Sequence, residues 1–481
     1  MDISIQFTPI RSQITTSLPD DLHLGLYELL SYKQEGYYFS PKFQNRTWDG
    51  VTRMYSLKTQ SFRSGFLLKV ADYLYSQGHS VSIIDYPPPL SFEQHSQNYK
   101  LRDYQKRLVN AIHLYRYGVI VAPPRSGKTL ISASVFDSVR TFPSIFYCRS
   151  IDLAIQTKNR FKEYLGDLYS IGMVGDGNWE LGDITICTIQ SAYSAYNQKF
   201  EEKTNYKEQE VQNKEELKKL IENAKVIFFD EVHEIQGKSS RFILGKSKGP
   251  IIKIGLTATP EEGSEEDIRL EENIGPVIYK IGYSELIKEG FLLKPIIYMY
   301  KLPKLTLEGN YLQIYKKAVT ENQFLNYLVK KLTTTLNNAG HSVVVQTEYR
   351  NHTEKLAKFL GVPYLMGNES GDKRAKILDE LREKKIMCLV STVIEQGIDV
   401  PSLNYSINLC GQKSQIATIQ RMRSLTASEG KTVCGVIDFL HQCDYLRTHS
   451  NKRLKVYKSE PEFEVHIRDV SKKTIQDYIN A

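Results

Sequence analysis

The stretch VIVAPPRSGKTLISASVFDSV, residues 119–139, decides the fold. It begins with an apolar, β-branched run typical of a buried strand and ends in a helical pattern, and a loop holding Gly127, Lys128 and Thr129 joins the two. Such a loop aims backbone N–H groups and a helix N-terminus at phosphate oxygens. We expect Ser126 and Gly127 to supply that backbone, Lys128 to neutralise the β- and γ-phosphates, and Thr129 to ligate Mg²⁺.

A pair of acids further downstream supports this interpretation of the loop. Ala122 stands where the usual pattern G-x-x-x-x-G-K-[ST] has glycine, so a polar helix start without a ligand is the alternative. The apolar run KVIFFD (225–230) ends in Asp230, and Glu231 follows it. Ligands of parallel sheets bind at the carboxyl ends of strands, which places both acids beside the loop. Asp230 would hold Mg²⁺ through its water shell and Glu231 would polarise the attacking water. The alternative is a solvated acid pair at a strand end that has no catalytic role.

Short apolar runs alternate with helical segments throughout the chain after residue 100. Apolar strands spaced by helices predict parallel sheets covered on both faces, here in two tandem α/β domains. The runs are VIVA (119–122), SIFYC (144–148), ITICT (184–188), KVIFFD (225–230) and IIKIGL (251–256), then SVVVQT (342–347), MCLVST (387–392), YSINL (405–409) and TVCGVIDF (432–439).

Three consecutive prolines mark the first domain boundary. Pro87, Pro88 and Pro89 block helix and central strand, so they predict a linker. A small α+β domain is expected before it, and a tail is expected after the second sheet domain. The predicted domains are 1–90, 91–290, 291–450 and 451–481.

The composition is that of an ordinary globular protein. The 481 residues are 41% hydrophobic and 25% charged, with a net charge of +8. These values exclude wholesale disorder, and no apolar run reaches the ~18 residues of a membrane helix. Six scattered cysteines without a C-x-x-C pair, and an N-terminus without a secretory signal, predict reduced core thiols and a cytoplasmic location. The basic excess permits a polyanionic partner, and the seven Lys and seven Glu of 199–225 predict a solvated helical insertion.

Four motifs together resemble those of superfamily 2 helicases. They are the loop 122–129, the DEVH box Asp230-Glu231-Val232-His233, the run GLTATP (255–260) and the segment LRDYQ (101–105). The resemblance implies two RecA-like domains that bind ATP and Mg²⁺ between them and convert hydrolysis into movement along nucleic acid. It also implies that Gln105 recognises adenine.

Two further segments occupy places where that family contacts the nucleic-acid backbone. The resemblance assigns this role to Arg149, Gln156, Thr188, Gln190 and Ser191. Capping of helices by serine, threonine and glutamine side chains is the alternative interpretation.

The second sheet domain carries a segment similar to motif V of the family. It reads STVIEQGIDVP (391–401) and follows an apolar strand. The resemblance implies that Gly397 and Asp399 lie near the nucleotide and that Thr392 lies beside the nucleic acid.

Motif VI is where the chain departs from the family. The usual Q-x-x-G-R-x-x-R is replaced by QRMRSLT (420–426). If one residue is deleted relative to the family, Arg423 is the arginine finger that reaches the γ-phosphate, and Arg421 is the alternative. Loss of an arginine finger costs roughly 10³–10⁵ in rate, so the departure bears on whether hydrolysis is fast.

The N-terminal domain mixes basic and aromatic residues over 33–69, where there are seven basic side chains and two acids. Basic groups can neutralise phosphates, while aromatics either stack on bases or fill a small core. The candidates for phosphate contact are Lys42, Arg46, Arg53 and Arg63. The stretch GYYFSPKFQNRTWDG (36–50), followed by Gly65-Phe66, resembles the N-terminal domain of UvsW-type bacteriophage recombination helicases.

That second resemblance implies an ATP-dependent DNA helicase, monomeric on DNA, that acts on branched duplexes such as forks and Holliday junctions. It implies branch migration in recombination, repair and replication, and a phage-encoded protein in a bacterial cytoplasm. An RNA helicase of the DEAD/DEAH-like type is one alternative. A nucleic-acid-binding protein with a decayed motor is another, because of motif VI. The basic tail residues Lys452, Arg453 and Lys455 either dock on the motor or contact DNA.

Overall fold

The computed structural model divides the chain into two compact units. The first holds Met1–Ala122 and Gly127–Lys280, and the second holds Pro123–Ser126 and Ile281–Ala481. The structure describes residues 1–34, 36–175, 177–196, 208–232, 238–258, 265–367, 369, 371–392, 400, 402–411 and 431–479.

The N-terminal part of the first unit is built on a five-stranded mixed sheet in the order β5-β6-β2-β1-β7. Helices α1 and α3 bury Leu22, Leu26, Val70 and Leu74 in the core beneath it. The elements are β1 (Asp2–Gln6), β2 (Arg11–Ile14), α1 (Asp20–Leu29), β3 (Ser31–Lys33), α2 (Pro41–Gln44), β4 (Val51–Arg53), β5 (Tyr55–Ser56), β6 (Ser61–Arg63), α3 (Leu67–Ser76) and β7 (Ser80–Ile84).

The rest of the first unit is an eight-stranded sheet that is parallel except at β11, in the order β11-β10-β12-β9-β13-β14-β8-β15. Its elements are α4 (Asp103–Tyr115), β8 (Tyr117–Val121), α5 (Lys128–Val139), β9 (Ser144–Cys148), α6 (Ile151–Leu165), β10 (Ile171–Gly175), β11 (Asn178–Glu180), β12 (Ile184–Thr188), α7 (Ile189–Ala195), α8 (Glu208–Asn223), β13 (Val226–Phe229), α9 (Lys238–Leu244), β14 (Ile252–Thr257), α10 (Glu265–Asn273) and β15 (Val277–Lys280).

The second unit is a seven-stranded parallel sheet in the order β18-β19-β17-β20-β21-β16-β22. Its elements are α11 (Tyr283–Lys288), β16 (Ile296–Lys304), α12 (Tyr311–Tyr315), α13 (Gln323–Asn338), β17 (Val343–Gln346), α14 (Arg350–Leu360), β18 (Tyr364–Leu365), α15 (Gly371–Arg382), β19 (Cys388–Ser391), β20 (Tyr405–Asn408), β21 (Gly435–Gln442), α16 (Leu446–Ser459), β22 (Glu464–Asp469) and α17 (Gln476–Ile479).

The predicted strands are confirmed to within a few residues, and so is the prediction of two parallel-sheet α/β domains. Within the charged segment 199–225, of which residues 208–225 are described, helix α8 is amphipathic, because Leu217 and Ile221 are fully buried while Glu210, Glu215 and Glu216 are exposed. The segment after residue 450 continues α16, and β22 pairs in parallel with β16 at the edge of the second sheet.

Two general properties of the chain follow from the packing. All six cysteines are buried free thiols. No helix in the described part of the chain combines the length and the apolar character needed to cross a membrane.

The N-terminal sheet packs directly on the first parallel sheet. Tyr117 of β8 and Ile268 of α10 belong to the N-terminal hydrophobic core, and the Phe7 ring lies 5.5 Å from that of Tyr117. At Gly65 a Cβ atom would lie 1.8 Å from the Glu271 carbonyl oxygen, so only glycine permits this approach. The two parts of the first unit therefore share one packed interface.

Candidate active site

The phosphate loop follows β8 at the carboxyl edge of the first parallel sheet. The Ala122 N–H donates to the Thr257 carbonyl at 2.9 Å, which ties the start of the loop to the end of β14. Gly127 has φ +79° and is followed at once by Lys128, the first residue of α5. The Lys128 ammonium donates to the Ala122 carbonyl at 3.2 Å, so its side chain folds back over the loop.

Gln105 of α4 lies directly against this loop. Its side chain is 3% exposed, and a Cβ atom on Gly127 would lie 2.3 Å from the Gln105 Nε2 atom. The Gln105 Oε1 atom accepts a hydrogen bond from the Arg102 N–H at 3.0 Å, which fixes the amide in place. The structure thus brings together the residue predicted for adenine and the loop predicted for phosphates.

The acid pair sits on a strained turn after β13. The Asp230 N–H donates to the Tyr147 carbonyl at 3.0 Å, and Asp230 Oδ1 accepts from the Glu231 N–H at 3.0 Å. Glu231 has φ +48°, a conformation that non-glycine residues adopt rarely and that clusters at functional sites. The Asp230 carboxylate is therefore held by a backbone N–H, and the turn places Glu231 directly after the strand.

Close packing of Val232 against Gly255 holds that turn in place. The sequence motifs did not predict this packing role for either residue. Val232 is fully buried, and a Cβ atom on Gly255 would lie 2.9 Å from its methyl carbons. A glycine within an apolar strand is the signal that could have predicted such a close approach.

The order of the strands places the loop and the acids on one edge. Strand β14 lies between β8 and β13, and all three are parallel. Neighbouring strands are about 4.8 Å apart, so the ends of β8 and β13 are separated by roughly 10 Å. A lysine and two carboxylates at that separation can face the two sides of a terminal phosphate.

The residues at this edge fit Mg²⁺ of the kind that arrives with a nucleotide. Thr129 on α5 offers a hydroxyl and Asp230 a carboxylate, and the described residues contain no cluster of three or more His, Cys, Asp or Glu that could hold a metal. Mg²⁺ usually binds through one or two protein ligands together with substrate phosphates and waters, where it neutralises charge on the phosphates.

The negative charge of Asp230 affects the pKa of the neighbouring Cys148 thiol. Burial first, and then the Asp230 carboxylate, raise the pKa of the Cys148 thiol well above its ordinary value. Cys148 therefore stays protonated and unreactive at neutral pH.

The residues predicted to contact nucleic-acid backbone in this unit follow β9 and β12, on the same edge. Arg149 and Gln190 are exposed, while Gln156 is half-buried on α6. Thr188 Oγ1 accepts from the Ser191 N–H at 3.1 Å and caps α7, as the alternative interpretation of these two residues expects. Contact with nucleic acid stays a prediction for all five.

Several predicted residues belong to the second unit. The Thr392 N–H donates to the Leu365 carbonyl at 3.2 Å just after β19. Gly397, Asp399, Arg421 and Arg423 lie outside the described residues, as do His233, Thr259 and Pro260 of the motor motifs.

The four N-terminal candidates divide into two pairs. Lys42 and Arg46 are exposed. Arg53 forms a bidentate ion pair with Asp49, whose pKa it lowers to about 2. Arg63 faces Glu272 of α10, with 4.0 Å between Nε and Oε1.

Two family models match the chain on either side of the division between the two units. Residues 98–262 match the res subunit of type III restriction enzymes, and residues 323–423 match the helicase conserved C-terminal domain. The chain is a superfamily 2 helicase. The prediction of an ATP-dependent helicase is therefore confirmed.

Individual proteins give more distant similarities to this superfamily 2 helicase. The DNA 3'-5' translocase XPB2 of Sulfurisphaera tokodaii is 24% identical over 376 residues, which cover 69% of this chain and 80% of the relative. The crystal structure of T4 UvsW is 19% identical and covers 98% of this chain and 99% of its own, with a TM-score of 0.45. The structure of S. cerevisiae Dbp5 bound to RNA and ADP BeF3 is 16% identical and covers 85% of this chain and 94% of its own, with a TM-score of 0.53.

Proposed function

We propose that this helicase is an ATP-driven motor that acts on branched duplex DNA, such as forks and four-way junctions. The observation that carries the proposal is the placement of the phosphate loop and the acid pair on one sheet edge, beside Arg149 and Gln190. Hydrolysis at that edge can then act on groups that grip a nucleic-acid backbone next to it. The N-terminal domain, which is neutral as a whole, packs on the same sheet, and its segment 33–69, with seven basic side chains and two acids, supplies a further surface for a polyanion.

The proposed chemistry assigns a task to each described side chain. Lys128 would bind the β- and γ-phosphates, and Glu231 would accept a proton from the attacking water. Asp230 and Thr129 would hold Mg²⁺, and Gln105 would position adenine. Catalysis of phosphoryl transfer is mostly positioning and charge stabilisation, which a turn locked by Val232 and Gly255 supports.

DNA is favoured over RNA by the similarity to a protein named as a DNA translocase and by the resemblance of residues 36–50 to the UvsW-type domain. The likeness to Dbp5 concerns the fold alone, so it favours neither polymer. A grip on the backbone predicts weak sequence preference and strong dependence on salt.

The test measures ATP hydrolysis in parallel with no nucleic acid, linear duplex DNA, a four-way junction and structured RNA. We expect the junction to stimulate hydrolysis most and its strands to separate only when ATP is present. Lys128→Ala should abolish both, whereas Lys248→Ala should abolish neither, because Lys248 is 73% exposed and paired with Glu222.

Each contrary result selects one alternative. Stimulation by RNA without stimulation by DNA would make the protein an RNA helicase. Binding of ATP without turnover would make it a nucleic-acid-binding protein with a decayed motor. Equal action on linear and branched duplexes would remove the branched substrate from the proposal.

A further inference from the structure

The aromatic side chains of the N-terminal domain fall into two groups. Tyr55, Phe62 and Phe66 are at most 3% exposed and belong to the core beneath the N-terminal sheet. In the loop between β3 and β4, by contrast, Tyr38 is 54% exposed and Phe39 is 74% exposed. The first group therefore fills the core, as one of the two interpretations of the sequence expects, whereas the second group leaves large aromatic surface in contact with solvent.

A pocket of 590 Å³ lies within residues 36–50, which we call the aromatic loop. Its aromatic lining comes from Tyr38, Phe43 and Trp48, and polar side chains such as those of Arg46 and Asp49 complete it. Sites for small ligands have volumes of about 300–1,000 Å³ and combine aromatic walls with a few polar groups. The size and the lining of this pocket therefore suit a flat ligand with polar edges.

Contacts within the aromatic loop fix the shape of the pocket. The Trp48 Nε1 atom donates to the Val51 carbonyl at 2.8 Å, which orients the indole. The Tyr37 ring packs edge-on against that of Phe43, with 4.7 Å between the ring centres. Gly50 has φ +83°, and a Cβ atom there would lie 2.6 Å from the Tyr37 ring. Because these contacts order the loop before a ligand binds, they lower the entropic cost of binding.

The strands that carry the aromatic loop are anchored on the first parallel sheet. Strands β3 and β4 pair antiparallel, with Tyr32 opposite Thr52. Tyr32 is 9% exposed, and its hydroxyl accepts a hydrogen bond from Arg269 Nε of α10 at 2.7 Å. Ile268 of the same helix packs into the N-terminal core. A ligand of the aromatic loop is therefore held by the unit that also carries the acid pair.

The chemistry of the pocket matches a nucleobase. A base has two apolar faces and polar edges, and it stacks on aromatic side chains once it has left the duplex. The Asp49 carboxylate does not oppose this, because Arg53 pairs with it and lowers its pKa to about 2. Lys42 and Arg46 are exposed on the same loop, where cations can meet the phosphates that flank a bound base.

We propose that the pocket of the aromatic loop binds an unpaired nucleobase of branched DNA, which stacks on the ring of Tyr38. The inference rests on the proposed action on branched DNA, since the bases at a branch point are the ones that lose their partners. Stacking tolerates any base, so the site adds a preference for unpaired strands without adding a preference for sequence.

The test measures the affinity of the full chain for two fluorescent DNA forks that differ only in their single-stranded arm. One arm carries thymine bases, and the other has abasic nucleotides with the same number of phosphates. We expect the wild type to bind the thymine fork at least about 10-fold more tightly, since stacking of one base supplies that much affinity. Tyr38→Ala should lose about 10-fold in affinity for the thymine fork and nothing for the abasic fork.

Two further variants of Tyr38 show whether the aromatic face is what matters. Tyr38→Phe should bind like the wild type, whereas Tyr38→Leu keeps an apolar side chain and should lose as much as Tyr38→Ala. The matched control is Tyr75→Ala on α3, because Tyr75 is 55% exposed and lies outside the pocket. The slope of log K against log salt should be the same for all variants, since none of them removes a phosphate contact. Melting temperatures show that each variant is folded.

The outcomes separate this inference from the proposal on which it rests. If neither the wild type nor Tyr75→Ala binds either fork, action on DNA itself is wrong. If both bind, and Tyr38→Ala and Tyr38→Leu keep the wild-type affinity for the thymine fork, the pocket does not hold a base. Equal losses on the thymine and abasic forks would also overturn the inference. So would a Tyr38→Ala change that turns a dimer of the free chain into a monomer and leaves the difference between the forks unchanged, because a second copy would then occupy the pocket.

Discussion

The charged side chains of the two units differ in how deeply they are buried and in what surrounds them. In the first, Lys128 folds back on its own loop, and Asp230 and Glu231 sit half-buried on a strained turn. In the second, Asp438 of β21 is fully buried, and Arg453 donates to both of its oxygens at 2.8 Å. Burial alone would raise the pKa of Asp438, but Arg453 and the hydrogen bonds around it hold that pKa below its ordinary value.

The difference lies in whether the charged groups are buried in the core or lie half-buried at a sheet edge. Asp438 also accepts from Asn408 Nδ2, the Phe439 N–H and the Tyr457 hydroxyl. A network closed in this way has no capacity for a ligand, and it contributes to stability and specificity of packing. The acid pair of the first unit is placed by backbone contacts at a sheet edge, so its carboxylates can act on a substrate. Substitutions should therefore cost rate in the first set and stability in the second.

The largest expected effect concerns Arg423, the predicted arginine finger, whose loss should lower the rate of hydrolysis and not the stability. Arg423→Ala should lower ATP hydrolysis by about 10³–10⁵-fold with little change in melting temperature, because an arginine finger stabilises the charge of the transition state. The measurement is steady-state ATPase activity on saturating DNA. Arg421→Ala is the matched control, and a larger loss there would transfer the finger to Arg421.

The next effect concerns Glu231. Glu231→Gln keeps the shape of the side chain but removes the base, so the rate of hydrolysis should fall by about 10²–10⁴-fold. Nucleotide affinity, measured by titration, should stay close to that of the wild type. A variant that keeps the wild-type rate, or that melts several degrees lower, would contradict the separation of rate from stability.

Arg453 should behave in the opposite way. Arg453→Met leaves the buried Asp438 carboxylate without its cation, which should lower the free energy of unfolding by about 3–5 kcal/mol. The double variant Asp438→Leu/Arg453→Met should regain most of that loss, since a buried ion pair can be replaced by apolar groups. Chemical denaturation of each variant gives the measurement. A lowered rate at unchanged stability would mean that this network serves the motor after all.

The sequence predicted nine strands of the two parallel sheets because each is a short apolar run, as in VIVA and ITICT. It missed the interior strands β10 and β16 as well as the edge strands β11, β15, β18 and β22. Strands β15 and β22 bury few of their residues, and β16 buries only about every second residue, so no continuous apolar run marks them. It also placed Arg453 in a tail, although the residue is 1% exposed in the second core. A basic side chain that is buried by tertiary packing has no local signature.

The site shows the same division. Lys128, Asp230 and Glu231 could be predicted because their roles depend on the ends of strands that carry them. Arg241 and Arg269 line one pocket with Arg11, Arg53 and Arg63 of the N-terminal strands. The sequence could not predict this, since packing rather than spacing brings the residues together. Chemistry that is confined to one strand-loop unit can be predicted from sequence, whereas a pocket assembled from distant segments requires the fold.

The smallest expected effect is the response of the closed network to acid. His441 of β21 is buried beside Arg453, and burial first, then that positive charge, lower its pKa to about 3 despite the nearby Asp438. Because the unfolded chain takes up this proton near pH 6.5, stability should be complete above that pH and fall as the pH drops toward 3, by about 1.4 kcal/mol per pH unit. Unfolding of the second unit at pH 7.5, 6.5 and 5.5 measures it, and His441→Gln should flatten the curve by that amount. An unchanged slope would mean that solvent reaches the His441 ring, and that the network around Asp438 is not closed to water.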